Sequence, residues 1–348
     1  MNQRGGAERV FAHIARAYPE APIYTALFDE SAVGEFIDGK RVRASWLARL
    51  PGVNRYFRTL APLYPGVFER FDLREYDTIV SSTTAWAKGV RFAAGAKHVC
   101  YINTVSRFAF AYDAYVDGKA VRSLAHPLVN RLVEWDRVAA MRPTAYVANS
   151  RNVADRIKRY YGRDSYVLHC PVDVDRFTLG AGSGDYAFVA SRLLSYKRID
   201  LAIRACALVK MPLLIAGTGP AEAALRRLAR RSGATLLGYV PDAKLNQLMG
   251  DARVVIVPGE EDFGLVPLEA AATGRPVIAY RGGGALETVR DGVTGRFFDA
   301  QTSEGLAAAL RDFTPEGYDP AVLRAHAEQF APAAFIARFQ RIVEEVRP

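Results

Sequence analysis

Two glutamates, Glu261 and Glu269, flank a turn at which an apolar run gives way to a predicted helix. The helix begins in the segment Phe263-Gly264-Leu265-Val266, and its first N–H groups have no partner within the helix, so they favour an anion. Glu261 lies on the loop, where its carboxylate can accept hydrogen bonds from sugar hydroxyls. Glu269 lies about one and a half turns into an apolar helix, where a carboxylate needs a polar partner such as a ribose diol. The pattern predicts a site for a phosphorylated sugar; in the alternative interpretation, Glu261 caps the helix and Glu269 is solvated.

Two cations, Arg192 and Lys197, follow another apolar run, at the point where a strand leads into a helix. An arginine can bind a diphosphate through two parallel hydrogen bonds, a lysine adds a point charge, and the helix amino end adds N–H groups. Gly217 and Gly219 follow a third run and would let the backbone approach a ligand closely. Surface cations are common and a tight turn also needs glycine, so each signal is weak alone. Together, the three loops predict one anion site.

Apolar runs alternate with amphipathic stretches through both halves of the chain, which is typical of parallel sheets covered by helices. The predicted strands are Ile23–Leu27, Thr78–Ser82, His98–Ile102, Ala145–Asn149, Tyr166–His169, Tyr186–Ala190, Leu213–Ala216, Thr235–Leu237, Val254–Val257, Val277–Ala279 and Gly295–Phe298. The predicted helices are Ala7–Ala17, Leu124–Ala140, Arg151–Tyr161, Arg198–Val209, Ala221–Arg231, Lys244–Gly250 and Pro267–Thr273. We therefore predict an α/β fold of two doubly wound domains, residues 1–178 and 186–330, facing each other across a cleft. A glycine-rich linker at 179–185 joins them, and a C-terminal helix at 331–348 packs back toward the first domain.

The 348 residues carry a formal net charge of +9, which indicates an anionic partner. Between Gly39 and Phe68 there is no acidic residue, and cations alternate with aromatic and aliphatic residues. The cations are Lys40, Arg41, Arg43, Arg49, Arg55 and Arg58. This pattern suits the surface of an anionic membrane; a solvated basic face and a nucleic-acid surface are the alternatives, but no recognised nucleic-acid module occurs. Because no apolar run approaches the roughly 20 residues of a spanning helix and no secretory signal is seen, we expect a cytoplasmic protein at the inner face of the plasma membrane.

Glu261 and Glu269, with seven residues between them, resemble the E-x7-E motif of the retaining glycosyltransferases of family 4, which have the GT-B fold. The likeness extends across nearly the whole chain. It includes Arg4–Arg9, Arg107-Phe108, Ala148-Asn149-Ser150, Pro171–Phe177, Ser191–Asp200, Glu261–Tyr280 and Gly282–Thr288. Within this family the chain looks most like the bacterial mannosyltransferases of O-antigen and exopolysaccharide assembly.

The resemblance implies a role for each matching residue. Arg192 and Lys197 would bind the diphosphate of a sugar-nucleotide donor, Glu261 would contact the transferred sugar and Glu269 the ribose. Tyr239 and Val240 would lie near the base, while Gly5 and Gly6 would close over the diphosphate from the first domain. The other predicted substrate-binding residues are Asn103, Arg107, Gly217, Gly219, Phe263, Gly264, Leu265 and Val266. As in the family generally, no metal or other cofactor is expected.

The sequence departs from the family pattern at two positions. Relatives have an apolar strand before the loop of Gly5 and Gly6, where this sequence offers only Met1-Asn2-Gln3-Arg4. Since a missing central strand removes apolar burial and exposes strand edges, we expect either a poorly stable 348-residue protein or a translation start farther upstream. Relatives also carry a histidine where Asn103 stands, and asparagine cannot carry a proton at neutral pH.

The function implied is that of a retaining hexosyltransferase, which moves mannose from GDP-mannose onto a lipid-linked or polysaccharide acceptor in cell-surface polysaccharide biosynthesis. Two alternatives stay open. The donor could be a UDP-hexose, or the protein could be a non-catalytic binder of nucleotide sugars or glycans, since the first strand is absent and Asn103 replaces histidine. Nucleic acid is not an expected partner.

Overall fold

The computed structural model describes residues 1–3, 5–57, 59–106 and 119–348. The chain divides into two compact units. Unit 1 comprises Met1–Pro171 together with Pro332–Pro348, and unit 2 comprises Val172–Ala331. Each unit is built on parallel strands covered by helices, as the alternation of apolar and amphipathic segments predicts.

Unit 1 contains two parallel sheets. A two-stranded sheet pairs β1 (Ile23–Thr25) with β2 (Val42–Ala44). A four-stranded sheet has the order β3-β4-β5-β6, with β3 Thr78–Thr83, β4 Lys97–Ile102, β5 Ala145–Ala148 and β6 Tyr166–Val167. The α-helices of this unit are α1 Gly6–Ala17, α2 Glu30–Val33, α3 Val53–Tyr56, α4 Tyr64–Glu69, α5 Lys119–Ala139 and α6 Arg151–Tyr161, and near the C-terminus α14 Pro332–Glu345.

The buried strand β4 shows why the apolar runs of unit 1 become strands. Its residues from Val99 to Ile102 are at most 1% exposed, as expected for a strand with helices on both faces. Helix α6 begins where predicted, because the Ser150 hydroxyl accepts a hydrogen bond from the Val153 N–H at 3.0 Å. It ends at Gly162, whose φ of 67° is in the left-handed region. Five strands of unit 1 were predicted; β2 was not, because its short, exposed sequence carries no apolar pattern.

Helix α14 packs against α1 within unit 1. The Tyr18 and Phe339 rings meet edge to face with centroids 6.5 Å apart, and the Gln340 side-chain amide donates to the Ala17 carbonyl at 2.9 Å. The Lys97 ammonium donates to the Val343 carbonyl at 2.6 Å, which ties the end of α14 to the start of β4. Before α1, the described residues 1–3 and 5 form no strand.

Unit 2 is a six-stranded parallel sheet with the order β12-β11-β10-β7-β8-β9. Its strands are β7 Ala187–Ala190, β8 Leu213–Ala216, β9 Thr235–Gly238, β10 Val254–Val257, β11 Val277–Tyr280 and β12 Gly295–Phe298. Its α-helices are α7 Ile199–Val209, α8 Glu222–Ala229, α9 Asp242–Asp251, α10 Leu265–Ala272, α11 Ala285–Thr288, α12 Ser303–Arg311 and α13 Pro320–Glu328. All six strands were predicted from their apolar runs, and the doubly wound fold is confirmed.

The glycine-rich segment 179–185 lies within unit 2 and packs against the end of α9. Gly182 and Gly184 donate backbone hydrogen bonds to the carbonyls of Gly250 and Asp251 at 3.1 and 2.8 Å. A Cβ at Gly180 would lie 2.1 Å from the Gly250 carbonyl oxygen. The glycines are therefore needed for close backbone packing here.

A buried ion pair joins Lys88 to Asp136 in unit 1. Their side chains are 1% and 0% exposed, and the Lys88 ammonium lies 2.5 Å from the carboxylate. The Ser106 and Tyr161 hydroxyls donate to the same carboxylate at 2.5 and 2.8 Å. Burial lowers the pKa of Lys88, and the Asp136 charge opposes that shift. Each partner is needed for stability, because an unpaired charge in this interior would have a large desolvation free energy.

We expect Asp136→Asn to lower the free energy of unfolding by about 3–5 kcal/mol, because it leaves the Lys88 ammonium buried without its counter-charge. The matched control is Asp164→Asn, which breaks an ion pair of 2.8 Å with Lys158 on the surface, where the two side chains are 90% and 60% exposed. That change should cost less than about 1 kcal/mol. Urea unfolding followed by tryptophan fluorescence measures both, and equal losses would contradict the role given to Asp136.

Candidate functional site

Five loops lie in a row at the carboxyl edge of the unit 2 sheet. Because the strands are parallel, the segments after β11, β10, β7, β8 and β9 follow one another along this edge. The chain order reverses at β7, which has β8 on one side and β10 on the other. In open α/β sheets, ligands bind at such a switch point, outside the strand carboxyl ends. The loops that flank the switch point are 191–198, after β7, and 258–264, after β10.

Lys197 and Glu261 meet across this switch point. The Lys197 ammonium forms an ion pair and hydrogen bond with the Glu261 carboxylate, and the two side chains are only 15% and 18% exposed. Burial by itself lowers the pKa of Lys197, but the charge of Glu261, with Tyr196 and Asp262, outweighs it, so the net shift is upward. The ammonium is therefore charged at neutral pH, as an anion site requires.

Glycines bring the loops of Lys197 and Glu261 together. A Cβ at Gly259 would lie 2.8 Å from the Lys197 backbone, and one at Gly283 would lie 2.4 Å from the Glu261 carbonyl oxygen. That carbonyl accepts a hydrogen bond from the Gly284 N–H at 2.8 Å. The loop after β11 thus holds the Glu261 backbone in place. Residues 282–284 were not predicted to take part in the site, although three consecutive glycines at a strand end were a signal for it.

Arg192 and the glycines after β8 occupy the other side of Lys197. The Arg192 side chain is exposed and, among the described residues, forms no ion pair. A Cβ at Gly217 would lie 1.9 Å from the Ser191 carbonyl oxygen, and one at Gly219 would lie 2.5 Å from the Leu193 carbonyl oxygen. These two glycines let the loops after β7 and β8 pack together, so a purely structural need accounts for them.

Helix α10 points its amino end at the same edge. Gly264, with φ 93°, precedes the first helical residue, Leu265, and Val266 follows. Phe263 is 3% exposed, and its ring packs 6.0 Å from that of Phe330, which fixes the start of the helix. Glu269 is half-buried on the second turn of α10. The first N–H groups, which have no partner within the helix, and this carboxylate therefore belong to one short helix.

Tyr239 and Val240 follow β9 on the far side of β8. Tyr239 is 62% exposed, whereas Val240 is partly buried against the core of unit 2. The Gly238 carbonyl accepts a hydrogen bond from the Gly217 N–H at 2.7 Å, so the loops after β8 and β9 are joined. An exposed ring at this edge is able to stack on a planar ligand.

The predicted residues of unit 1 lie on their own sheet and helix. Gly5 is the N-cap of α1 and Gly6 its first residue. Asn103 follows β4 and is 8% exposed; its side-chain amide donates to the Ser82 hydroxyl at 3.0 Å, and its backbone carbonyl accepts from Asn149 at 2.9 Å. Arg107 lies outside the described residues.

We expect Gly283→Ala to weaken nucleotide binding and to lower stability, because the new methyl group would push the Glu261 backbone away from Lys197. The matched control is Gly292→Ala, whose φ of 74° gives comparable backbone strain but whose Cβ meets nothing within 4 Å. Both changes should lower the melting temperature through that strain. Only Gly283→Ala should also raise the Kd for a nucleoside diphosphate, by about tenfold or more, in isothermal titration calorimetry. Equal affinities in the two variants would contradict the role given to Gly283.

Two family models match the chain. The model for glycosyl transferases group 1 covers residues 173–330, and the model for glycosyltransferase family 4 covers residues 4–176. Among solved structures, Anabaena Alr3699/HepE in complex with UDP superposes with a TM-score of 0.70 at 18% identity, over 99% of this chain and 97% of that one. Sucrose-phosphate synthase from Thermosynechococcus elongatus gives 0.73 at 18% identity, over 97% and 91%. At these identities the likeness shows the fold.

The chain spans about half the length of several curated relatives that it matches. One is a D-inositol 3-phosphate glycosyltransferase of Geodermatophilus obscurus, 35% identical over 47% of this chain and 44% of its own length. Another is a GDP-mannose-dependent alpha-(1-6)-phosphatidylinositol monomannoside mannosyltransferase of Mycolicibacterium smegmatis, 31% identical over 47% and 51%. A D-inositol 3-phosphate glycosyltransferase of Rhodococcus jostii is 31% identical over 95% of this chain and 78% of its own length. The chain therefore belongs to the family 4 glycosyltransferases, and its two parallel-sheet units are those of the GT-B fold.

Proposed function

We propose that this protein transfers a hexose from a nucleoside diphosphate sugar to an acceptor hydroxyl. The observation that carries the proposal is the ion pair of Lys197 and Glu261 at the switch point of unit 2. A cation that can bind a diphosphate and a carboxylate that can accept hydrogen bonds from sugar hydroxyls are in direct contact there. Family membership supports the same class of reaction.

The positive groups near Lys197 suit the diphosphate of the donor. The Lys197 ammonium is half-buried and charged, the Arg192 side chain is exposed on the same loop, and the first N–H groups of α10 face the same edge. As the bond between sugar and diphosphate breaks, negative charge grows on the leaving oxygens. These groups then stabilise the transition state more than the bound donor.

The carboxylates suit the two sugars of the donor. Glu261 would accept hydrogen bonds from hydroxyls of the transferred hexose, and Glu269 on α10 would accept them from the ribose. Tyr239 and Val240 would lie beside the base. When the donor enters, Lys197 exchanges part of its contact with Glu261 for the diphosphate, so one cation links both parts of the ligand.

The reaction breaks the bond between C1 of the hexose and the diphosphate oxygen and forms a bond from C1 to the acceptor oxygen. The acceptor proton passes to the leaving diphosphate on the same face, so configuration is retained. No base from the protein is required, which accords with Asn103 at a position where relatives carry histidine. The amide of Asn103 is already bonded to Ser82 and holds the end of β4.

We propose mannose from GDP-mannose as the hexose and a lipid-linked or polysaccharide glycan of the cell surface as the acceptor. The Mycolicibacterium smegmatis relative, by its name, is GDP-mannose-dependent and acts on a phosphatidylinositol mannoside. An acceptor of that kind would hold the enzyme at a membrane. None of the helices in the described ranges has the length and apolar character of a membrane span.

The segment 39–68 of unit 1 supports contact with an anionic membrane. Trp46, Leu50, Tyr56 and Leu63 are 41–56% exposed, and Lys40, Arg43 and Arg49 of the same segment are also exposed, although the Arg43 guanidinium donates to the Tyr24 hydroxyl at 2.7 Å. Other residues of the predicted pattern serve the fold: Leu47 is completely buried, and the Arg41 guanidinium donates to the carbonyls of Ala15, Tyr18 and Ala21. Arg58 and the side chain of Arg55 lie outside the described part of the segment.

We expect Lys197→Ala and Glu261→Gln to lower transfer by about 10²–10³-fold, the cost of removing one preorganised electrostatic group. Lys197→Ala should also weaken donor binding, whereas Glu261→Gln should preserve it because the ammonium is then free for the diphosphate. The control Lys244→Ala removes an exposed lysine whose ammonium donates to the Gln247 side chain at 3.0 Å. Transfer of radiolabelled hexose and calorimetric binding of the donor measure both effects.

Full transfer activity in Lys197→Ala or in Glu261→Gln would contradict the assignment of the site. A panel of GDP-, UDP- and ADP-sugars in thermal-shift measurements identifies the donor, since a bound ligand stabilises the folded state by mass action. If a UDP-hexose alone stabilises the protein, the UDP-hexose, and not GDP-mannose, is the donor. Binding without transfer or hydrolysis of any labelled donor would establish a non-catalytic binder.

We expect Trp46→Ser with Leu50→Ser to reduce binding to vesicles containing phosphatidylglycerol by about tenfold or more, because both apolar anchors are lost. Leu286→Ser is the control, since this leucine is 54% exposed in unit 2. Cosedimentation at two salt concentrations measures the effect. If high salt abolishes vesicle binding equally in every variant, the charges alone account for the binding. That result would contradict the apolar contribution of Trp46 and Leu50.

A further inference from the structure

Helix α11 (Ala285–Thr288) is too short to be stable by itself, yet the Glu261 loop depends on it. The Gly283 and Glu261 backbones form a parallel β-bridge, and the Gly284 N–H donates to the Glu261 carbonyl at 2.8 Å. A helix of about one turn gains few hydrogen bonds for the residues that it fixes. Contacts from outside α11 must therefore hold its position, and with it the backbone of Glu261.

His326 on helix α13 makes such a contact. Its Nε2 atom lies 2.9 Å from the carbonyl oxygen of Thr288, the last residue of α11. Because a carbonyl can only accept, Nε2 carries a hydrogen and donates this hydrogen bond. The Thr288 hydroxyl in turn donates to the Gly284 carbonyl at 3.3 Å. Two hydrogen bonds therefore lead from α13 to the residue whose N–H holds Glu261.

The His326 ring is also connected to the amino end of α10. It packs edge to face on the Phe330 ring, with centroids 5.6 Å apart, and the Phe330 ring packs 6.0 Å from that of Phe263. Phe263 directly precedes Gly264, the N-cap of α10. A Cβ at Gly284 would lie 2.3 Å from the Phe263 Cα, so the two supported segments also contact each other.

His326 is an unfavourable residue for a contact that serves stability alone. It is 5% exposed, and its Nδ1 atom is buried without a hydrogen-bond partner among the described residues. Burial lowers the pKa of His326; the hydrogen bond to Thr288 opposes that shift, and the charge of Arg290 adds to it. The ring is therefore neutral at neutral pH, with one nitrogen bonded and the other not. An apolar side chain would avoid the unsatisfied nitrogen, but the Thr288 carbonyl would then lose its donor.

We propose that His326 is a positioning residue of the donor site, which acts through Thr288 and Phe330 to fix the Glu261 backbone and the amino end of α10. The inference rests on the proposed function, because these two segments are the ones assigned to the sugar and the diphosphate of the donor. His326 lies behind them and acts through the groups that would contact the ligand.

The reason for such a residue is preorganisation. Without the His326 hydrogen bond, α11 would sample other positions, and the Glu261 loop would move with it. Ligand binding would then have to order both segments, and the entropy lost in that ordering would weaken the affinity. The hydrogen bond of His326 moves this ordering from the binding step to the folding step.

Two substitutions at position 326 separate the hydrogen bond from the packing of the ring. His326→Leu removes the N–H donor, whereas His326→Gln places an amide N–H near the position of Nε2 and can still donate to the Thr288 carbonyl. Isothermal titration calorimetry with GDP and with UDP measures binding, under conditions in which circular dichroism shows each variant to be folded. We expect His326→Leu to raise the Kd of the bound nucleotide by about tenfold or more, and His326→Gln to stay within about threefold of the wild-type value.

Leu310→Ala is the control for lost stability. This leucine is 3% exposed in the last turn of α12, and its truncation leaves a cavity in the core of unit 2. It should lower the midpoint of thermal unfolding and leave the Kd within about twofold of the wild-type value. If His326 served stability alone, His326→Leu would give the same result as this control.

Thr288→Val tests the same connection in case His326→Leu does not fold. It keeps the shape of the side chain and removes the hydroxyl that donates to the Gly284 carbonyl. Its Kd should rise by about threefold or more, since one hydrogen bond behind the Glu261 loop is lost.

An unchanged Kd in His326→Leu would overturn the inference, and so would an unchanged Kd in Thr288→Val. A His326→Gln variant that binds as weakly as His326→Leu would overturn the role of the hydrogen bond. In these cases the wild-type protein still binds a nucleotide and the proposed function stands. A wild-type protein that binds neither GDP nor UDP would overturn the proposed function itself and this inference with it.

Discussion

Lys197 and Glu261 are 64 residues apart in the sequence, and they meet because β7 and β10 are neighbours in the unit 2 sheet. Their contact is the point on which the candidate site depends. It requires a parallel sheet whose chain order reverses at β7. It also requires short loops that carry no side chain where their backbones approach one another. Gly259 and Gly283 satisfy the second condition, since any side chain there would collide with the backbone of Lys197 or Glu261. The charges give the site its chemistry, and the glycines make its geometry possible.

The same pair contributes little to stability. A half-buried ion pair loses in desolvation much of what it gains in attraction, so its retention needs a reason other than folding. Preorganisation supplies one. The Glu261 carboxylate holds the long Lys197 side chain in one place, and the entropy of fixing that side chain is already lost before a ligand arrives. A diphosphate then meets a cation that is oriented, partly dehydrated and charged.

The parts of the fold that depend on apolar periodicity were predictable from the sequence. Strands β7, β8, β10 and β11 of unit 2 lie in continuous apolar runs, and all four residues of β10 are buried, so the pattern and the burial agree. Strand β2 was missed because it is short and exposed, and the pairing that defines it comes from β1. Gly217 illustrates a second limit. A glycine after a strand can admit either a ligand or a neighbouring backbone, and one sequence does not distinguish the two; the structure shows the Ser191 carbonyl oxygen 1.9 Å from the place of a Cβ at Gly217. Arg41 illustrates a third limit of prediction from the sequence. It lies in a basic run, but its guanidinium is bonded to backbone carbonyls that lie 20 to 26 residues away in the chain.

Comparing the two units indicates what fixes the position of the segment that leads into α1 in unit 1. In unit 2 the first strand, β7, is central, and both loops of the ion pair start from it or from its neighbour. In unit 1, Gly5 is the N-cap of α1 and Gly6 is its first residue. A loop that follows a central strand inherits the rigidity of the sheet, whereas the segment before α1 is held by the hydrogen bonds of the Met1 backbone with Leu27 and Asp29.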